Sequence, residues 1–296
     1  MYDVVILTDY RYENPKKINW YTQQVLTEDK ILKESLKKKG LKVCKKNWNT
    51  KDFDWAKTKY AIFRSTWDYF DRFNEFFKWL DHTKEKTKFI NSSDIILWNI
   101  DKHYLNDLEK QGINIAPTIF IEKGNKLKIG DLFKETKWEE AVIKPAISGA
   151  ARHTYRLNKN NYNKYNDILN ELILEESFLF QEFLNNITTD GEISMVIIGG
   201  KYTHAVKKRA KHGDFRVQDD HGGTVETYNP SKQEILFAEK CIKLCPNKVV
   251  YARVDIIYDN NNKISLSELE LIEPELWFRN NGKSADLLAE EIFNLI

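Results

Sequence analysis

The chain has 296 residues, which is enough for two domains or one large one and for a sizeable buried core. Hydrophobic residues make up 42% of the chain and aromatic residues 13%, so the composition excludes a disordered protein. The 46 basic and 44 acidic residues leave a net charge of +2, which argues against a dedicated nucleic-acid binder because such proteins usually carry a strongly basic face.

The cysteines and the apolar segments predict where the protein works. Three cysteines cannot form a closed disulfide framework. The apolar run at the N-terminus is short and has Asp3 before it and Asp9 after it, which is typical of a strand and not of a signal peptide. No apolar segment approaches the length that spans a membrane. We therefore expect a cytoplasmic protein with neither nucleic-acid nor membrane partners.

Strand-like and helix-like segments alternate over the first 95 residues. Continuous apolar runs are typical of buried parallel strands, and apolar residues at helical spacing predict the helices between them. This alternation predicts an α/β domain with an open, mainly parallel sheet over residues 1–95. The predicted strands are 3–9, 41–48, 60–65 and 88–91, and the predicted helices are 20–39 and 72–83.

The pattern changes near residue 96 to that of an α+β domain. We predict one helix over residues 96–113, stopped at Gly112, and a final helix from Ser284, its N-cap, to Ile296. Between them lie extended segments, of which the last two are long and of antiparallel type. The predicted extended segments are 118–123, 138–146, 153–157, 178–184, 192–209 and 249–272.

Acidic side chains interrupt the last of these strands, in the stretch SELELIEPELWF at residues 267–278. Side chains alternate between the two faces of a strand, so Glu268 and Glu270 point the same way. A turn at residues 260–262 predicts that this strand pairs with the preceding one, which would bring Asp255 to the same patch. Three facing carboxylates would raise one another's pKa unless a cation joined them, and an all-oxygen ligand set selects a hard ion such as Mg²⁺.

A solvated strand face is the alternative explanation of these acids. The bulky Trp277 and Phe278, which follow Pro274 by three and four residues, make full exposure of this segment unfavourable and weaken that alternative.

Several cations could hold phosphate groups beside such a metal. Lys144 ends an apolar strand, where a lysine is uncommon without an anionic partner. Ser148 and Gly149, in the loop 146–152, could let backbone N–H groups approach phosphate oxygens. The alternatives are a plain turn for this loop and a solvent-exposed helix lysine for Lys102.

The segment 206–223 is dense in basic residues and glycines. Arg216 lies between two glycine turns and could clamp a carboxylate or a phosphate with two hydrogen bonds. For Lys208 and Lys211 a solvated face is the favoured interpretation. His221 could serve as a general base, although a structural role in the loop is the more frequent outcome for such a histidine.

The stretch RSTWDY at residues 64–69 follows a strand of the first domain, where α/β sheets commonly bind ligands. Arg64 could hold a carboxylate and Asp68 an amine, while Trp67 and Tyr69 could form the walls of a small pocket. The alternative is that Trp67 and Tyr69 belong to the core and that Asp68 caps the helix at residue 72.

Taken in order, these motifs resemble the ATP-grasp superfamily, in its glutathione-synthetase-like and ribosomal-protein-glutamate-ligase-like branch. The similar elements span about residues 96–296, and together with RSTWDY they look most like a subgroup that includes the ligase closing the D-cycloserine ring. The matching elements are WNIDK (98–102), VIKPAISG (142–149), FQEF (180–183), GEIS (191–194), GDFRVQ with HGG (213–223), ARVD (252–255) and ELELIEP (268–274).

This resemblance implies an ATP-grasp domain over residues 96–296, with ATP held between a lid subdomain (115–180) and a core subdomain (181–296). It implies that two Mg²⁺ ions bind Asp255, Glu268 and Glu270, and that Arg216 and Lys207 are catalytic. The nucleotide-binding residues would be Lys102, Lys144, Ser148, Gly149, Gln181, Glu182, Phe183 and Glu192. The substrate residues would be Arg64, Ser65, Trp67, Asp68, Tyr69, Glu273, His221 and Gly222.

The chain departs from the family pattern at two places. Glu270 stands where the family usually has asparagine, which adds negative charge and should still bind Mg²⁺. Ala150 and Ala151 stand in a phosphate loop that is usually richer in glycine, which leaves the geometry of loop closure open.

The activity that the resemblance implies is ligation of a carboxylate to an amine. ATP would phosphorylate a small amino-acid-like acid, and an amine would displace phosphate from the acyl phosphate to form an amide. The alternatives are an ATP-grasp phosphotransferase that stops at a phosphorylated product and a non-catalytic ATP-binding regulatory protein. The sequence leaves the substrates and the oligomeric state open; a homodimer is suggested only by analogy.

Overall fold

The computed structural model describes residues 1–126, 128–149, 151–211, 213–217 and 222–296. Within these residues the chain forms three β-sheets, one parallel and two antiparallel. This arrangement confirms the predicted order of an α/β part followed by an α+β part. None of the described helices is long and apolar enough to cross a membrane.

The first sheet is parallel, with four strands in the order β2-β1-β3-β4. Its central strand buries Val4, Val5, Ile6 and Leu7 completely, as the continuous apolar run predicts. The strands are β1 (Tyr2–Thr8), β2 (Val43–Asn47), β3 (Thr58–Ser65) and β4 (Lys88–Ile90). The helices of this part are α1 (Tyr10–Glu13), α2 (Trp20–Lys38) and α3 (Phe73–Thr83).

The predicted single helix over residues 96–113 is wrong, because the chain forms two helices, α4 (Ser93–Asn99) and α5 (Tyr104–Lys110). The Asn99 amide donates to the carbonyl oxygen of Leu269 (2.8 Å) and fixes the end of α4. In the break, the backbone N–H of Lys102 donates to the carbonyl oxygen of Ala146 (2.9 Å). These tertiary hydrogen bonds are more favourable than continuing the helix through residues 100–103. They also direct the Lys102 side chain towards a cleft.

The second sheet is antiparallel, with strand order β5-β8-β6-β7. A separate apolar core, which includes Phe133, Leu169 and Phe180, joins the sheet to two helices. The strands are β5 (Thr118–Ile121), β6 (Glu140–Pro145), β7 (Tyr155–Asn158) and β8 (Phe178–Glu182), and the helices are α6 (Ile129–Thr136) and α7 (Asn166–Ile173).

The third sheet is also antiparallel, with strand order β11-β10-β9-β12-β13. In the predicted hairpin between β12 and β13, Asp255 lies opposite Glu268 and Arg253 lies opposite Glu270. The elements are α8 (Asn186–Thr189), β9 (Glu192–Ile198), β10 (Lys201–Arg209), β11 (Thr224–Tyr228), α9 (Lys232–Lys243), β12 (Tyr251–Tyr258), β13 (Ile264–Glu270) and α10 (Gly282–Phe293).

The predicted cap of the last helix is wrong. The cap position is Asn281, and Ser284 lies inside the first turn of α10. Ser284 is buried, and its hydroxyl donates to the carbonyl oxygen of Asn281 (2.6 Å). The serine therefore stabilises the start of the helix from within the first turn.

Candidate active site

A cleft of about 400 Å³ is lined by strands of the two antiparallel sheets and by helices and loops of the N-terminal part. It receives side chains from every part of the fold, and most of the predicted site residues line it. These are Trp67, Tyr69, Lys102, Lys144, Ser148, Gly149, Gln181, Glu182, Phe183, Glu192, Arg216, Glu268, Glu270 and Glu273. The structure thus brings together residues that are more than 200 positions apart in the chain.

Three carboxylates converge beside the cleft, as predicted: Glu268 and Glu270 line it, whereas Asp255 is buried next to them and does not. One oxygen atom from each of Asp255, Glu268 and Glu270 lies within 4.8 Å of the others. The register of β12 and β13 causes this convergence, because Asp255 is opposite Glu268, and Glu270 lies two residues farther on the same face. An all-oxygen donor set of this size fits Mg²⁺, so these residues could hold the ion.

Two basic side chains that the sequence analysis did not assign to the site hold these carboxylates in place. The Arg253 guanidinium donates to Asp255 (2.8 Å) and to Glu270. The Lys208 ammonium lies 3.1 Å from Asp255 and 2.5 Å from Glu192. Lys208 is only 5% exposed, so the favoured interpretation of a solvated lysine is wrong. The alternation of side chains along a strand could have shown that Lys207 and Lys208 point to opposite faces. In the register of β10 and β9, Lys208 lies opposite Glu192.

The neighbouring Lys207 points away from these carboxylates, as adjacent strand residues must. Its ammonium lies 5.0 Å from the centre of the Tyr228 ring, and the residue does not line the cleft. The predicted catalytic role of Lys207 therefore does not fit the structure. Lys208 occupies the position on the cleft side.

The neighbouring charges lower the pKa of two of the three carboxylates, Asp255 and Glu268. Burial alone would raise the pKa of Asp255, but the charges of Arg253 and Lys208 outweigh it and lower that pKa. Burial alone would also raise the pKa of Glu268, but the charges of Lys102 and Lys144 together outweigh burial and lower that pKa.

Glu270 behaves in the opposite way. Burial raises the pKa of Glu270 to about 8, since the opposing charge of Arg253 does not offset burial together with the charges of Glu268 and Asp255. The expected rise in pKa therefore appears at Glu270, whereas at Asp255 and Glu268 the neighbouring basic side chains lower the pKa. A bound divalent cation would favour the ionised form of Glu270.

The predicted phosphate loop lies against the N-terminal part of the chain. A Cβ atom at Gly149 would lie 2.5 Å from the Phe70 ring, so only glycine fits this position. The Lys102 ammonium donates to the carbonyl oxygen of Ser148 (2.7 Å) and lies 3.3 Å from Glu268. Lys102 therefore connects the loop to the carboxylates. Ala150 lies outside the described residues.

Other predicted nucleotide residues lie along β6, β8 and β9. Burial lowers the pKa of Lys144, against the opposing charge of Glu268. The Gln181 amide donates to the Thr118 hydroxyl (2.9 Å), and Glu192 accepts from the Ser267 hydroxyl (2.8 Å) in addition to its ion pair with Lys208.

The basic loop after β10 contributes Arg216 to the cleft. The guanidinium of Arg216 pairs with the carboxylate of Asp214 (2.7 Å), and its side chain is 39% exposed. Gly222 does not line the cleft, and His221 lies outside the described residues.

The stretch 64–69 divides between the cleft and the core. Trp67 and Tyr69 line the cleft, as the binding interpretation predicted, and they also pack in the apolar core of the N-terminal part, as the alternative predicted. Arg64 and Ser65 line a small separate cavity, where the Arg64 guanidinium lies 5.9 Å from the Tyr251 ring centre.

Asp68 does not line the cleft, so the structure gives no support to an amine-binding role for it. It accepts hydrogen bonds from the Trp48 indole (2.6 Å) and from Arg72 (2.9 Å). It does not cap α3 either, because that helix begins after Arg72 without a side-chain cap. Arg11, Tyr12 and Tyr21 also line the cleft, but they belong to no motif that the sequence analysis considered.

Glu273 offers a pH-dependent test of the cleft. Burial raises its pKa to about 7 from 4.5, against the opposing effects of the Tyr69 hydroxyl and the Lys102 charge. The folded state then binds this proton more tightly than the unfolded chain. This acid therefore makes the free energy of unfolding decrease as the pH rises from about 4.5 to about 7. We expect Glu273→Gln to remove about 1–3 kcal/mol of that fall, measured by urea unfolding across the pH range. Parallel pH curves for the two proteins would contradict the assignment.

The sequence matches two family models. The model described as the RimK-like ATP-grasp domain matches residues 102–271, and the model described as D-cycloserine synthetase DcsG, N-terminal domain, matches residues 4–91.

Two curated proteins illustrate the similarity in sequence. The cycloserine biosynthesis protein DcsG of Streptomyces lavendulae is 24% identical over 264 residues, which cover 83% of this chain and 87% of that protein. A probable alpha-L-glutamate ligase of Marinomonas sp. (strain MWYL1) is 27% identical over 176 residues, which cover 59% of this chain and 56% of that protein.

Solved structures show the same fold. The crystal structure of D-cycloserine synthetase DcsG has a TM-score of 0.88 at 19% identity, with 99% of each chain covered. A D-alanine–D-alanine ligase from Bacillus anthracis, complexed with ATP, has a TM-score of 0.64 at 13% identity, with 99% of this chain and 97% of that chain covered. At these identities the structural likeness concerns the fold alone.

Proposed function

Because the chain belongs to the RimK-like ATP-grasp family, we propose that it is an ADP-forming ligase that joins a small amino-acid-like carboxylate to an amine through an acyl phosphate. The observation that carries this proposal is the convergence of the buried Asp255 with Glu268 and Glu270, which line the same cleft as Lys102, Lys144 and Arg216. Acidic and basic groups in one cleft suit a metal and a polyphosphate together.

The cations of the cleft would bind and orient the phosphates. Asp255, Glu268 and Glu270 would hold Mg²⁺, which would supply positive charge to neutralise the phosphate oxygens. Lys102, Lys144 and Arg216 also line the cleft, so they could contact phosphate oxygens directly. Arg216 would exchange part of its pairing with Asp214 for a phosphate oxygen.

The proposed reaction needs no protein nucleophile. A substrate carboxylate oxygen attacks the γ-phosphorus, and the bond to ADP breaks. The amine nitrogen then attacks the acyl carbon, the bond to phosphate breaks, and the amine loses a proton. The protein contributes positioning and electrostatic stabilisation, which account for most of the catalysis in phosphoryl transfer.

The relatives suggest an amino acid as the substrate, since their names refer to cycloserine, glutamate and D-alanine. We propose a small amino-acid-like acid for this chain as well. The test is a screen for Mg²⁺-dependent ADP release across amino acids, dipeptides and ureido compounds, with mass spectrometry of the products.

An amide together with ADP and phosphate is the expected result of this screen. A phosphate ester as the final product would replace the ligase with a phosphotransferase. Binding of ATP without ADP release for any compound would instead favour a non-catalytic regulatory protein.

A further inference from the structure

Glu273 differs from the other glutamates of its segment. Glu268 lies 3.3 Å from Lys102, Glu270 pairs with Arg253, and Glu275 lies 2.5 Å from Arg279. Within the described part of the chain, no basic side chain lies within ion-pairing distance of Glu273, although it lines the same cleft.

The N-terminal part of the chain fixes the position of Glu273. The Trp67 indole donates a hydrogen bond to the backbone carbonyl of Glu273 (3.0 Å). The Tyr69 hydroxyl is a hydrogen-bond partner of its carboxylate, and both aromatic residues line the cleft. A carboxylate that is held from both its backbone and its side chain is preorganised to meet a ligand.

Aromatic rings form the cleft wall next to this carboxylate. The centre of the Trp67 ring lies 5.8 Å from that of Tyr12 and 6.2 Å from that of Tyr21. All three residues line the cleft. The Arg11 guanidinium, which is paired with Asp9, lies 5.3 Å from the Tyr12 ring centre. The faces of such rings attract cations, and a carboxylate does so more strongly, so the surface formed by Glu273 with Trp67 and Tyr21 favours a positive ligand group over a phosphate or a carboxylate.

We propose that Glu273, with the aromatic rings of Tyr21 and Trp67, binds the protonated amino group of the amine substrate. This inference rests on the proposed ligase function and adds to it the charge of the second substrate. Glu273 follows the predicted metal ligand Glu270 by three residues, so an amine bound there would enter the same cleft in which the acid is activated.

Burial of Glu273 agrees with this proposal. Burial raises its pKa to about 7, and no basic side chain in the described part of the chain is close enough to form an ion pair that would reverse this. A bound ammonium group would supply the missing charge and favour the ionised carboxylate.

The test is direct binding, without ATP, of a cationic and a neutral probe. Alanine methyl ester carries an ammonium group and no carboxylate, whereas N-acetylalanine methyl ester is uncharged; both enantiomers of each would be titrated by calorimetry. We expect the wild-type protein to prefer the cation and Glu273→Gln to bind it about tenfold or more weakly. The matched variant Glu275→Gln should change the affinity less than twofold, because Glu275 is already paired with Arg279.

Three outcomes would overturn the proposal: equal affinities of wild type and Glu273→Gln, no preference for the cation, or a loss confined to Glu275→Gln. If Glu273→Gln fails to fold, Glu273→Asp keeps the charge but retracts it by one methylene, and it should also weaken binding of the cation. The ligase function is tested separately by ADP release, so either idea can fail while the other stands.

Discussion

Glu268→Gln should lower Mg²⁺-dependent ATP turnover by at least about a hundredfold while leaving the fold intact. The substitution keeps the size of the side chain and removes one of the three carboxylates that converge beside the cleft. It also removes the charge that faces Lys102 at 3.3 Å. The measurement is ADP release at saturating concentrations of the substrates found in the screen, over a range of Mg²⁺ concentrations.

The control for this prediction is Glu139→Gln. Glu139 is an exposed residue just before β6 that pairs with Lys159 at the surface (2.6 Å), so the same chemical change should alter turnover less than twofold. Near-ultraviolet circular dichroism would verify that Glu268→Gln remains folded. Unchanged turnover in a folded Glu268→Gln protein would remove the metal-site assignment and, with it, the main support for the proposed function.

The sequence was sufficient to predict the parts of the fold that depend on local pattern. The apolar run Val4–Leu7 predicted a buried parallel strand, and the structure buries these residues completely. The alternation of acidic and apolar residues over 267–271 placed Glu268 and Glu270 on one face. The turn at 260–262 then identified the partner strand that carries Asp255. The family resemblance, which the two model matches confirm, assembled these local signals into one fold.

Features that depend on tertiary contacts were predicted less well. The break between α4 and α5 results from hydrogen bonds of Asn99 and Lys102 to segments far along the chain, which no helical period reveals. Asp68 had a plausible ligand chemistry, but its partner, the Trp48 indole, lies 20 residues away on another element. Arg11 was missed because its approach to the cleft depends on the end of β1, where it pairs with the buried Asp9.

The choice between Lys207 and Lys208 required the pairing register. Both lysines lie on the same strand, and composition alone does not separate them. The register places Lys208 opposite Glu192 and Lys207 opposite Ile193, which decides which of the two meets the buried acids.

Lys208→Met should reduce turnover by at least about tenfold and destabilise the protein by about 3–5 kcal/mol. The Lys208 ammonium is buried between Glu192 and Asp255, and its removal leaves both carboxylates without that charge in a poorly solvated site. Burial lowers the pKa of Lys208, but these two acids outweigh it and raise that pKa, so the lysine stays charged at neutral pH. Urea unfolding at pH 7 and the ADP-release assay measure the two effects.

The neighbouring variant Lys207→Met makes this prediction specific. Lys207 lies on the same strand and loses the same charge, but it faces Tyr228 outside the cleft, so we expect a loss of stability below about 1 kcal/mol and turnover within twofold of the wild type. A larger catalytic loss in Lys207→Met than in Lys208→Met would contradict the observed strand parity. Equal and small effects of both substitutions would show that Arg253 alone is sufficient to hold Asp255, because it is the other basic partner of that carboxylate.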